Sequence, residues 1–120
     1  MDKILKEKWL VALRSGNYRP WKNCYFLRRI FVKGEDFWSA FGVLADISGR
    51  GYWSDTAKEL GQRFKYWSHN LQGGRDYQSA NSHFAEVFGI PKLSFSLIEG
   101  MHHDHVKNFD EIANYIEKNL

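Results

Sequence analysis

Cysteine, proline and long apolar runs are all scarce in this chain, and each scarcity closes off a class of protein. The one cysteine, Cys24, has no partner for an internal disulfide, which fits a reducing compartment. Two prolines among 120 residues, with 43% hydrophobic and 26% charged residues, argue against a disordered chain. No apolar stretch approaches the roughly 20 residues that a membrane-spanning helix needs. The opening Met1-Asp2-Lys3-Ile4 lacks the apolar run and small-residue cleavage site of a secretory signal. The expectation is therefore a cytoplasmic protein with no membrane partner. Gly49-Arg50-Gly51 and Gly73-Gly74-Arg75 are too short to cradle phosphate, and no serine sits in a nucleophile elbow.

Aromatic residues are abundant, with nine Phe, six Tyr and five Trp making 17% of the chain. That is enough for some rings to serve a surface as well as a core. Charge is uneven: residues 1–35 hold nine Lys/Arg against three Asp/Glu, whereas residues 101–120 hold two against four. A basic first third can attract phosphates at long range, or simply be a solvated helix face and loop.

Apolar spacing predicts a first helix over 3–15, with Asp2 as cap, a stripe of Leu5, Trp9, Ala12 and Leu13, and Gly16 as stop. Residues 24–33, aromatic and β-branched around Arg28 and Arg29, read as a strand. Asp36 is read as the cap of a helix over 37–48, apolar on most sides and hence central. Its mid-helix Gly42, beside Ala45, offers a flat patch for close approach of another element. The pattern then weakens. Thr56 to Glu59 reads as the start of a short helix ending at Gly61, and 63–78 as a β-hairpin turning at Gly73-Gly74. Short helices follow at 82–88 and 94–101, and the last helix begins after Asn108 with Phe109, Ile112, Ala113 and Ile116 on one face. These elements predict one α+β domain, 1–120, dominated by helices around a small antiparallel sheet. Trp9, Phe41, Leu44, Ile112 and Ile116 are its expected core.

Three segments carry a resemblance. They are Trp9 with Ala12-Leu13-Arg14-Ser15-Gly16 and Tyr18; Phe41-Gly42-Val43-Leu44-Ala45-Asp46; and Phe88-Gly89-Ile90-Pro91 with Leu97, Met101, Asp104 and Asn108 to Glu117. Together the pattern resembles a family of small phage and prophage proteins, also common in viral metagenomes. Relatives of that kind carry Met-Asn-Asp before the last helix, where this chain has Met101-His102-His103-Asp104. The resemblance implies a viral accessory protein in a bacterial host cytoplasm, and no particular reaction.

Two places hold enough chemistry to be sites. Arg50, Trp53, Arg63, Tyr66, Trp67, Arg75 and Tyr77 interleave cations with rings across fewer than 30 residues. Such a mixture stacks on bases and pairs with phosphates. It equally suits a protein partner, because Tyr, Trp and Arg dominate interface hot spots. Rings covering a small core are the third reading. The other place is a corner with His102, His103 and His105, to which Glu99 or Asp104 could add a ligand. Adjacent and next-but-one histidines cannot share one helix face, so the spacing is poor for zinc. No cofactor, catalytic residue or metal ligand is assigned. The leading function is binding a host protein, the alternative is a nucleotide or nucleic-acid binding module, and a metal-dependent enzyme at the histidine corner is third.

Overall fold

Residues Ala40 to Ala45 are buried on every side of one short helix, and the fold is organised around them. The computed structural model describes residues 1–20, 27–31, 36–54, 64–71, 75–77, 79–103 and 109–120, with the backbone alone at 29–31, 64–68, 75, 102 and 103. The first helix, α1 (Lys3–Arg14), is capped by Asp2, whose carboxylate accepts from the Ile4 N–H at 3.3 Å. It buries Leu5, Trp9, Leu10 and Leu13. The Trp9 indole donates to the Ala40 carbonyl at 2.9 Å, which ties α1 to the start of the central helix, α2 (Ala40–Ile47).

The sequence expectation started α2 at Phe37 under an Asp36 cap. Instead Ser39 caps it, its Oγ accepting from the Gly42 N–H at 3.0 Å. Asp36–Trp38 is a strand, β2, paired antiparallel with β1 (Arg28–Phe31). Two apolar residues in a row satisfy either period, and the ladder to β1 decides. Ladder bonds pair Phe37 and Trp38 with Arg29 and Arg28, and Trp38 N–H also donates to the Arg19 carbonyl at 2.8 Å.

The sheet is antiparallel throughout its named strands and built on a long strand, β4 (Phe64–Leu71). The first half of β4 pairs with β1, and the second half pairs with both β3 (Gly51–Ser54) and β5 (Arg75–Tyr77). The expected hairpin is thus β4–β5, and β1 lies within the expected 24–33 strand. Strand β3 was not expected. Four residues opening on glycine carry little periodicity, and their register comes from β4. A Cβ at Gly51 would stand 2.9 Å from the Asn70 carbonyl carbon, so the close pairing needs glycine.

Three further helices close the core. Asn81 caps α3 (Ser82–Val87), accepting from Phe84 N–H at 2.9 Å. Helix α4 (Lys92–His103) is longer at both ends than the expected 94–101. Pro91 opens it, its carbonyl accepting from Phe95 N–H at 2.9 Å, since proline is tolerated where no intrahelical donor is needed. Helix α5 (Phe109–Asn119) buries Phe109, Ile112, Ala113 and Ile116 and lies against α1, where Arg14 pairs with Glu117 at 2.6 Å. Trp9, Phe41, Leu44, Ile112 and Ile116 are fully buried in one cluster. The expected α+β core is thereby realised, with a radius of gyration of 13.5 Å, as expected for a compact chain of this length. Among the described residues no helix is long and apolar enough to cross a membrane. The expectations for Cys24, the 56–61 helix, the Gly73-Gly74 turn and the Asn108 cap lie outside the described residues.

Candidate functional site

Where α2 ends against the sheet, five elements bring rings and charges together. Asp46, in the last turn of α2, accepts from the Tyr18 hydroxyl at 2.6 Å and from the Trp53 indole at 2.9 Å. Trp38 of β2 meets the edges of both partners, with ring centroids 5.0 Å from Tyr18 and 5.6 Å from Trp53. The Arg28 guanidinium lies 4.7 Å from the Trp38 ring centroid and 5.6 Å from that of Trp53. Arg28 also donates through two nitrogens to Asp36, at 3.2 and 2.9 Å. Such two-pronged pairing orients the guanidinium and not merely its charge. Burial, and then the bond to Asp46, push the Tyr18 phenol well above its ordinary pKa, so it remains a donor. Each of these polar groups is answered by another within the cluster. Chemically the arrangement holds rings and charges in fixed positions and presents no activated nucleophile.

The sequence candidates divide on contact with this geometry. Trp53 is half-buried in the cluster, its edge also meeting His69 at 4.7 Å. Tyr77 is not a surface residue: it is 3% exposed, bonded to His83 through its hydroxyl and packed edge-on against Phe84. The turn into β3 had no burial signal of its own, and it leaves Arg50 near the surface with its guanidinium 5.4 Å from the Phe88 ring centroid. Tyr66, Trp67 and Arg75 sit on strands, with Trp67 in register with Arg28 and Tyr66 with Arg29; their side chains, like all of Arg63, lie outside the described residues. Sequence reasoning missed Tyr18, Asp36, Trp38 and Asp46 as a group. Asp36 and Trp38 were absorbed into a helix, and only the β1–β2 register brings them to Arg28.

His69 is 2% exposed, and its Nδ1 has no hydrogen-bond partner among the described residues. Burial lowers its pKa below the usual value, and the nearby Asp46 charge opposes that shift only in part. An unfolded chain takes up a proton near pH 6.5 that the folded one refuses, so stability falls as pH drops below about 6.5 and is level above it. Urea melts at pH 7.5, 6.0 and 5.0 should show this decline, and a His69→Gln variant should show a shallower one. Equal slopes for the two proteins would remove His69 as the cause.

The histidine corner begins inside α4, which carries His102 and His103 in its last turn, with Glu99 one turn earlier. The side chains of His102 and His103, and all of Asp104 and His105, lie outside the described residues. Among the described residues no group of three or more His, Cys, Asp or Glu is placed to hold a metal. In comparison with known proteins, no family model, curated protein or solved structure matches the chain.

Proposed function

We propose that the protein acts by binding another protein, as an accessory protein of the phage type that its sequence resembles, with a host protein as partner. The carrying observation is the exposed surface around the turn into β3, where Arg50 reaches across to the end of α3. Tyr52 is 66% exposed on β3, and Val87 is 39% exposed at the end of α3. Arg50 donates to the Val87 carbonyl at 3.4 Å and lies over Phe88, two contacts that restrain its long side chain. Such restraint lowers the entropy cost of docking, and Tyr and Arg are the residue types that dominate hot spots. Trp53 and Tyr77, two of the four rings that a nucleotide would stack upon in that reading, are occupied by neighbours within the fold.

A nucleotide or single-stranded ligand retains one supporting observation, the register that sets Arg28 and Arg29 opposite Trp67 and Tyr66. The readings separate experimentally. Immobilised protein should retain a specific partner from host lysate, and Arg50→Ala with Tyr52→Ala should abolish capture without changing the melt. Truncating a hot-spot residue costs about 2 kcal/mol or more of binding. Titration with a nucleotide panel and an oligonucleotide at two salt concentrations should show no binding. Binding that weakens steeply with salt would replace this reading with the nucleic-acid one.

A further inference from the structure

The outer face of α1 has a symmetry that the fold itself does not use. Ile4 and Val11 are 69% and 68% exposed, and a separation of seven residues puts them on the same side of the helix, away from Leu5, Trp9 and Leu13. Between them on that side stand Glu7 and Lys8, both exposed and without an ion pair among the described residues. Two other charges of this helix are engaged: Arg14 with Glu117 and Asn114, and Lys6 with the Glu117 carbonyl. The stripe therefore reads apolar, acidic, basic, apolar, and its midpoint lies between Glu7 and Lys8.

We propose that this face pairs with the same face of a second copy of the chain, as an antiparallel helix pair about a two-fold axis. A two-fold interface requires that if one residue meets another, the reverse contact also forms. With the axis at the midpoint, Ile4 of one copy meets Val11 of the other, and Glu7 meets Lys8, each contact occurring twice. Turned the opposite way, a parallel pair would set Glu7 on Glu7 and Lys8 on Lys8. Charge thus selects the antiparallel arrangement. A second feature fits the same occupant. Beside the stripe lies an open groove of about 590 Å³ whose lining includes Glu7, Lys8, Val11, Ala12, Tyr18 and Ile47. The Ile4 side chain of the second copy, brought to Val11, enters that groove and leaves water on both sides of the contact.

One helix stripe is small against the roughly 1,200 Å² at which standard interfaces begin, so the dimer is expected to form at high micromolar concentration. Sedimentation of the full chain from about 10 µM to 1 mM should show a monomer–dimer equilibrium centred in that weak range. Val11→Lys should abolish it, and Glu7→Lys should weaken it at least tenfold by setting lysine against lysine. The double reversal Glu7→Lys with Lys8→Glu should restore it, because both swapped pairs are again of opposite sign. All these positions are exposed, so each variant should melt as the parent does. A parent monomeric at every concentration would overturn the proposal. So would a dimer indifferent to Val11→Lys, or one lost in Leu97→Lys, which lies on the outer side of α4.

Discussion

Replacing Gly42 by alanine is expected to destabilise the protein strongly, although alanine is the better helix former. On helix propensity alone the change gains about 1 kcal/mol. The surroundings reverse the sign. A Cβ at Gly42 would overlap the Leu27 carbonyl oxygen and stand 2.6 Å from its carbon. That carbonyl accepts from the Ser39 N–H at 3.1 Å, so moving it breaks the bond that joins the sheet side of the fold to the start of α2. Neither group is a side chain that can swing aside; both are backbone. Overpacking of this kind costs about 1–3 kcal/mol and sometimes more, and the rigid neighbour places Gly42→Ala at the upper end. Gly100 supplies the internal control, since a Cβ there meets nothing within 4 Å. Gly100→Ala in α4 should raise stability by about 0.5–1 kcal/mol. Denaturant melts of the two variants should move in opposite directions, and a neutral Gly42→Ala would mean that α2 and Leu27 do not approach as described.

Phe41→Ala should have an effect of similar or greater size, for a different reason. The Phe41 ring is fully buried and contacts rings from three other helices: Trp9 of α1, Phe84 of α3 and Phe95 of α4, at centroid distances of 6.3, 6.1 and 4.8 Å. Neighbours anchored on three separate helices cannot collapse together into the space left behind. The loss should reach about 3–5 kcal/mol, the range for aromatic truncation in a well-packed core. Leu93→Ala, at a position 72% exposed, should stay within about 0.5 kcal/mol. A midpoint shift for Phe41→Ala no larger than that for Leu93→Ala would place the centre of the core elsewhere.

Both predictions concern α2, and the two residues differ in how they could be known from sequence. Phe41 was legible as core because its apolar neighbours recur at helical spacing, and Gly42 was legible as a place of close approach. Local pattern also determined α1 and its Asp2 cap, the stripe of α5, and the β4–β5 hairpin. In each case the signal lies within about a dozen residues, the distance over which periodicity and capping act. What approaches Gly42 was not legible, because Leu27 comes from the sheet side, 15 positions away in sequence, and is held at α2 by the Ser39 N–H and the adjoining β1–β2 ladder. For the same reason Asp36 looked like a helix cap: an acidic residue before an apolar run fits that role until the β1–β2 ladder brings it within reach of the Arg28 side chain. The cluster of Tyr18, Arg28, Trp38, Asp46 and Trp53 draws on segments up to 35 positions apart, held by hydrogen bonds and ring contacts between them. Tyr77 makes the converse case. Its sequence neighbours marked it as a surface ring, and packing against His83 and Phe84 turned it inward. Sequence by itself determined the class of fold and which faces are apolar, since these depend on local spacing. Only tertiary structure decided which rings and charges are spent on one another and which, like Arg50 and Tyr52, remain at the surface, because that depends on strand register.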